Sequence, residues 1–283
     1  MKLNLLFIVF FSGFFFTNAQ SLDEIKHYAD EQYALGNYDL ALKEYQRVFL
    51  FDRTHKYNDI FFKIARIFDQ RQNYEKALMF YKLSAQAVSD DSLKNEMIFD
   101  KVKLKLKHKK FYPALADLFD LPSDLSPYFQ SKLFLYEGIA YYGLGQYDKA
   151  ENSFTNLLSP QGKDSLRLIF NDLLHIRKKY DPGKIETMSI FLPSLGQFYL
   201  GEWKEGLNSL ILLTAIGYYA GYTAVQYTLF EGLIIYGTWF HRYYSGGYKK
   251  AKVLAIKRIQ KEEALAYQQI LRILRQYNKW EHP

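Results

Sequence analysis

The chain has 283 residues, which suggests one large or two modest domains. Its aromatic content of 18%, with 25 Tyr and 23 Phe, is well above what an ordinary soluble domain needs, and its formal net charge is +7. The absence of cysteine excludes disulfides, thiolate nucleophiles, zinc ribbons, iron–sulfur clusters and a lipid-modified cysteine together.

At the amino terminus, "MKLNLLFIVFFSGFFFTNAQS" carries a single Lys2, an uncharged apolar run from Leu3 to Phe16, and small residues at Thr17 and Ala19. This is the pattern of a secretory signal peptide over residues 1–19, cleaved before Gln20. An uncleaved anchor helix is the competing reading, although the apolar run is shorter than the roughly 20 residues that span a bilayer. Under both readings the remainder is delivered outside the cytoplasm, and a bacterial-type cell envelope is the expected location.

A repeat follows. "ALGNYDLALKEY" (34–45), "DQRQNYEKALMFY" (69–81) and "YGLGQYDKAENSF" (142–154) share an aromatic, an alanine three residues on, and a second aromatic four beyond it. A weaker copy stands in "HKKFYPALADLF" (108–119). The anchors Tyr38, Tyr74, Phe111 and Tyr147 are spaced 36, 37 and 36 residues apart. Each unit reads as two antiparallel helices that cannot bury an apolar face alone and therefore stack. The first helix has a small residue for close approach (Ala29, Ala65, Gly138), then a turn such as Gly36-Asn37, Gln72-Asn73 or Gly145-Gln146. In the second, an alanine (Ala41, Ala77, Ala150) is followed by an aromatic (Tyr45, Tyr81, Phe154). In the third unit "VKLKLKHKK" stands where a turn glycine is expected and Pro113 lies near the anchor, and its alternation suits a strand as well as a helix.

These residues resemble the tetratricopeptide repeat family over about residues 22 to 160, with "GIAYYGLGQYDKAENSF" the strongest copy. The resemblance implies an all-α superhelical solenoid of four helix pairs over residues 20–160, whose concave groove holds peptide segments of other proteins. Counted from the anchors, the residues implied to face that groove are Tyr33, Phe62, Arg66, Leu106, Ile139 and Tyr142. "DSLRLIFNDLLHIRKKY" (164–180) places Leu166, Ile169, Phe170, Leu173, Leu174 and Ile176 on one broad face and predicts a capping helix within residues 161–184. Asp181-Pro182-Gly183 then breaks the chain.

Residues 185–245 read as a membrane hairpin. From Leu207 to Phe240 only Glu231 is charged. A single helix of that length would measure about 51 Å, against a hydrocarbon core of roughly 30 Å, so two arms broken near "YYAGYTAVQY" (218–227) are expected. A buried hairpin in a globular core is the alternative. Gly217 and Gly221 are the expected close-approach pair, and Glu231 lies either within an arm, as a weak functional candidate, or at the turn. Ahead of the hairpin, "PSLGQFYLGEWKEG" resembles the stretch that introduces TM2-like membrane hairpins, the matching positions being Pro193, Gly196, Gln197, Tyr199, Gly201 and Gly206. The second arm departs from that family at "WFHRYY", which lacks its acidic residue.

Residues 246–283 hold nine Lys or Arg and three Glu, a net +6. Ile256, Ile259, Ala266, Ile270, Ile273 and Tyr277 recur at steps of three and four apart from a gap at Glu263, which predicts a basic amphipathic helix lying on an anionic lipid surface. Nucleic acid is a poor competitor, because the chain offers no groove-reading structure or ordered array of stacking aromatics. The positive-inside tendency would place this tail in the cytoplasm, whereas an exported repeat domain followed by two spans returns it to the outside.

No site for chemistry emerges. The six histidines are scattered, phosphate-loop and dinucleotide fingerprints are missing, and no serine stands in a nucleophile elbow. The expectation is a non-enzymatic adaptor with no cofactor or metal, whose partners are proteins or peptide segments and the lipid bilayer. A membrane-insertion or envelope-assembly factor acting through the hairpin is the alternative.

Overall fold

The structure, a computed structural model, describes residues 21–277 apart from His55. The signal-peptide expectation and Lys279 lie outside the described residues. Among the described residues every regular element is helical, in agreement with the all-α expectation. The chain divides into two units, one ending at Leu125 and one beginning at Ser126.

The first unit contains α1 (Leu22–Ala34), α2 (Tyr38–Phe51), α3 (Ile60–Gln70), α4 (Tyr74–Ala87), α5 (Asp91–Lys107) and α6 (Phe111–Phe119). Their starts are fixed locally. Ser21 and Glu24 form a reciprocal capping box on α1, and Asn73 and Asp90 cap α4 and α5 through their side chains. Consecutive helices pack as pairs, α1 with α2, α3 with α4 and α5 with α6.

The small and large residues that recur in sequence meet inside each pair. Ala29, Ala41 and Tyr45 are buried in the first, and Ala65, Ala77 and Tyr81 in the second. Val102, Ala114 and Leu118 are buried in the third. Leu118 there fills the place that an aromatic holds elsewhere, while Phe119 points outward. Of the two readings open for "VKLKLKHKK", the helix expected of a third pair is the one found: α5 runs through it to Lys107, burying Val102 and Leu104, because helix α6 supplies the apolar face that an alternating strand would have needed from a sheet.

The turns repeat as well. Gly36, Gln72, Lys109 and Gly145, each two residues before its anchor, all have left-handed backbones, with φ of 79°, 56°, 57° and 72°. In each turn the next amide reaches back five residues to a carbonyl, as in Asn37 N to Gln32 O, Asn73 N to Phe68 O, Lys110 N to Lys105 O and Gln146 N to Tyr141 O. This is the Schellman closure, which satisfies the last carbonyls of the first helix and aims the chain back along it. Glycine takes the left-handed backbone without steric cost, whereas Gln72 and Lys109 hold it under mild strain.

The second unit begins with the fourth pair, α7 (Pro127–Gly143) and α8 (Tyr147–Thr155), and continues through α9 (Pro160–Lys179), α10 (Pro182–Phe191) and the short α11 (Leu195–Tyr199). Then come α12 (Trp203–Gln226), α13 (Leu229–Ile235), a π-helical turn (Tyr236–Phe240) and the long α14 (His241–Tyr277). The expected repeat domain over 20–160 is therefore divided, because the fourth pair shares its core with the carboxy-terminal helix. Phe154, Leu166, Phe170 and Leu173 are buried with Ala266, Ile270 and Leu274 of α14.

Other sequence-based boundaries shift in this unit. The region expected to be one capping helix over 161–184 contains α9 and the start of α10, separated at Asp181, whose carboxylate caps α10. α12 continues unbroken through residues 218–226, and the chain turns at Tyr227-Thr228, where the Thr228 hydroxyl accepts from Glu231 N. Glu231 accordingly sits in the first turn of α13, where the helix N-terminus favours a carboxylate. The expected boundary between residues 245 and 246 falls inside a helix, since α14 starts at His241 directly after the π turn and runs on to Tyr277.

Candidate functional site

Three places collect the residues singled out by sequence: an open groove in the first unit, its filled counterpart in the second, and the hairpin with its root.

In the first unit, Tyr33, Phe62 and Leu106 are half-buried and Arg66 is exposed. Tyr33 and Tyr38 meet edge to face with ring centroids 5.6 Å apart, and the Arg66 guanidinium lies 4.8 Å from the Phe62 ring centroid. Together with Asp69, Gln70, Tyr81, Asp100 and Lys103, residues Tyr33, Tyr38 and Arg66 line a hollow of about 290 Å³. Arg66 pairs with Asp100 at 3.4 Å and Lys107 with Asp69 at 2.7 Å. Burial works against the Arg66 charge, but Asp100 and the Tyr33 hydroxyl outweigh it and hold its pKa above the ordinary value. Elsewhere on α1, Asp30 accepts from Lys26, Lys63 and Tyr45 at 2.9, 2.6 and 2.6 Å. Burial alone would raise its pKa, yet these three bonds lower it.

The second unit presents the same tyrosine pair. Tyr142 and Tyr147 lie 5.2 Å apart, again edge to face. Here the hollow is occupied by the chain itself. The Tyr142 hydroxyl donates to the Glu263 carbonyl at 2.6 Å and the Tyr147 hydroxyl to the Glu263 carboxylate at 2.7 Å, while Arg177 of α9 pairs with that carboxylate. Tyr267, one turn further along α14, packs on Tyr142 at 5.2 Å. Burial first, and the bond to Glu263 second, push the Tyr147 hydroxyl above its usual pKa. Tyr142, implied by the repeat resemblance to face a partner, is thus covered by α14, and Ile139 packs against the core that α14 shares with α8 and α9.

At the root of the hairpin, the stretch from Pro193 to Gly206 is organised by hydrogen bonds. Ser194 adopts a left-handed backbone with φ 68°. Gly196 N donates to Ser189 Oγ at 2.9 Å, Ser189 Oγ donates to Gln197 Oε1 at 3.2 Å, and the fully buried Gln197 donates through Nε2 to the Gly247 carbonyl at 2.9 Å. Gln197 therefore ties α10 and α11 to α14. A Cβ on Gly196 would come within 2.6 Å of the Ile185 carbonyl, and one on Gly206 within 2.6 Å of the Phe198 ring. Tyr199 remains partly exposed over the side of Tyr180.

One feature here was hidden in the sequence. Gly201, with φ 80°, makes the same Schellman turn as the helix pairs, with Glu202 N bonded to Gln197 O, and α12 starts two residues later at Trp203. The signal was available in "LGEWKEGL" (200–207) set against "LGNYDLAL" (35–42) and "LGQYDKAE" (144–151): a Leu-Gly turn, an aromatic at the helix start, and a small residue three positions on.

Beyond that root the apolar residues face outward. Of α12, only Gly206, Leu213, Ala220 and Thr223 are buried. Val225 is 82% exposed and Phe230 71%, and Ile211, Tyr218, Leu229, Leu233 and Trp239 are also open. The two arms touch through Gly232, where a Cβ would lie 2.5 Å from Ala224 Cβ and 2.8 Å from the Ala220 carbonyl. The expected close-approach pair is corrected at one member: a Cβ on Gly217 would lie 3.3 Å from the Phe240 ring of the second arm, a tight contact, whereas one on Gly221 would meet nothing. Among the described residues no helix is long and apolar enough to cross a membrane. α12 would reach about 36 Å, but Asn208, Tyr218, Tyr219, Tyr222 and Gln226 dilute its apolarity.

The tail also departs from expectation. Ala251 and Ala255 of α14 bury against Ile185 of α10, and Ala266, Ile270 and Leu274 bury against α9, so its apolar face is covered by protein. Leu274 takes the place expected for Ile273, and Ile256 is left exposed, because a run of this length follows the 3.6-residue period of a helix and drifts away from alternating three- and four-residue steps. Its basic residues stay largely outside: Lys249, Lys257, Lys261, Arg272 and Arg275 are exposed. No group of three or more His, Asp or Glu that could hold a metal occurs among the described residues. Comparison with protein-family models, with curated proteins and with solved structures found no match to this chain.

Proposed function

We propose that this protein is a membrane-anchored adaptor of a bacterial-type cell envelope: its tetratricopeptide-like helix pairs bind a segment of another protein, and its hairpin docks in lipid. The observation that carries the reading is the apolar surface of α12 and α13. A water-facing helix shows one apolar stripe, whereas these arms expose apolar and aromatic side chains well beyond one stripe. Lipid is the environment that accepts such a surface. The hairpin enters the bilayer from one side, tip first, with Trp239 and Tyr243 suited to the interface and the basic outer face of α14 drawn to anionic headgroups.

Support for the partner-binding half comes from the repeated pair geometry and from the hollow lined by Tyr33, Arg66 and Tyr81. The test combines flotation with cross-linking. Full-length protein is expected to float with vesicles containing anionic lipid, and the paired substitutions Val225→Asp and Phe230→Asp are expected to leave it at the bottom of the gradient. Phe62→Ala with Arg66→Ala is expected to float normally but to lose its cross-linked partners. Flotation unaffected by the first pair, together with a partner set unaffected by the second, refutes the adaptor. If the hairpin alone acts as an insertion or assembly factor, the reading favoured by its exposed tip at Tyr227–Phe230, the groove substitutions leave function intact while the hairpin substitutions abolish it.

A further inference from the structure

The two tyrosine pairs are built alike, and one of them displays its ligand. In both units a tyrosine at the anchor (Tyr38, Tyr147) meets a tyrosine five residues before it (Tyr33, Tyr142) edge to face. In both, the next helix places a donor on the anchor hydroxyl: Gln70 Nε2 lies 3.3 Å from Tyr38 OH and Arg177 Nη1 lies 3.2 Å from Tyr147 OH. With a donor already on one lone pair, the anchor hydroxyl still has its proton to give to an acceptor. In the second unit its proton goes to the Glu263 carboxylate of α14. In the first unit no described residue accepts from Tyr38.

Charge around the open hollow points the same way. Both acidic residues of its lining are already paired, Asp69 with Lys107 and Asp100 with Arg66. Lys103 lines the same hollow and pairs with no acidic side chain among the described residues. The groups left without an acidic partner are thus the Lys103 cation and phenolic donors, Tyr38 among them, a set that a carboxylate satisfies and a cation or a purely apolar side chain does not.

We propose that the open Tyr33–Tyr38–Lys103 cradle of the first unit takes a carboxylate-bearing helix of a partner protein, as its counterpart in the second unit takes Glu263 of α14. The partner segment carries an Asp or Glu followed one turn later by an aromatic, the Glu263–Tyr267 arrangement, so that the ring packs on Tyr33 as Tyr267 packs on Tyr142. This deepens the adaptor reading and rests on it, since it names what the groove binds.

A labelled synthetic peptide of residues 256–275, titrated by fluorescence anisotropy against the full-length chain, tests the proposal. α14 stays in its own groove, so the peptide is expected to saturate a single site in the first unit. Peptide carrying Glu263→Gln, and protein carrying Tyr38→Phe or Lys103→Gln, are each expected to bind about tenfold more weakly, the worth of one charge-assisted hydrogen bond. Tyr147→Phe protein is expected to bind as wild type does. Equal affinity for the Gln peptide, or binding weakened by Tyr147→Phe and not by Tyr38→Phe, overturns the proposal. Binding lost in Phe62→Ala yet indifferent to Glu263→Gln overturns only the carboxylate and leaves the adaptor reading standing, whereas absence of saturable binding contradicts both.

Discussion

α3 and α12 are both rich in apolar residues, and they use them in opposite ways. α3 turns Ile60, Phe61, Ile64, Ala65, Ile67 and Phe68 inward, where they join the core of the first unit. α12 leaves Leu207, Ile211, Tyr218 and Val225 outside and buries little beyond the small residues that hold its partner arm. The helix pairs obtain their stability from burial. The hairpin is held at its root by polar bonds and along its length by close backbone approach, which leaves its large side chains free for another solvent. Apolar content alone does not distinguish these cases; where the small residues fall does.

The contrast can be broken by substitution, and the largest effects belong to the buried side. Ile64→Ala is expected to cost about 2–5 kcal/mol of unfolding free energy, read by denaturant titration, because it leaves a cavity in a closed core. Val225→Ala is expected to change it by no more than about 0.5 kcal/mol. A large loss from Val225→Ala would mean that the hairpin is part of a folded core after all.

Next in size is the root. Gln197→Ala leaves the Gly247 carbonyl and the Ser189 hydroxyl without their buried partner, and about 1–3 kcal/mol of stability is expected to be lost. Gly232→Val is expected to cost about 1–3 kcal/mol through overpacking against Ala220 and Ala224, with increased protease cutting near Tyr227. The turns give a smaller and signed effect. Gly145→Ala is expected to destabilise by about 1 kcal/mol and Lys109→Gly to be neutral or stabilising by a few tenths of that, since both positions are left-handed.

The smallest prediction concerns pH. Burial holds the Glu137 carboxyl above its ordinary pKa, with Ser153 Oγ at 3.4 Å offsetting only part of the effect. The folded state therefore retains this proton where the unfolded chain has released it, and stability contributed by the protonated form fades as pH rises from the ordinary carboxylate value through the raised one. Glu137→Gln is expected to raise the melting temperature slightly at neutral pH and to flatten its dependence between pH about 4 and 7. An unchanged slope would show that Glu137 is better solvated than its surroundings suggest.

Much of the first unit was legible in the sequence because its determinants are local. A left-handed turn, an anchor two residues on and an alanine three further lie within a dozen residues, so Tyr38, Ala41 and Tyr45 disclose their pairing directly. The third pair was less clear because Lys109 takes the place of glycine and Leu118 the place of an aromatic. Contacts between residues far apart in the chain left weaker traces. Nothing near Tyr142 announces that Glu263, over a hundred positions later, covers it, and the basic tail reads as a lipid-surface helix because α9, which covers its apolar face, is remote. Gly201 was obscured for another reason. The same turn serves the helix pairs and the hairpin root, and at the root it is followed by a long apolar run instead of a second repeat helix.

The most direct measurement uses the absence of cysteine from the chain. A single Val225→Cys substitution carrying an environment-sensitive fluorophore reports on the hairpin tip, and Leu93→Cys on α5 serves as an exposed control in the first unit. On addition of vesicles containing anionic lipid, the account predicts a blue shift with increased intensity at position 225 and no change at position 93. An unchanged spectrum at position 225, with vesicles in excess, would contradict the claim that this hairpin docks in lipid.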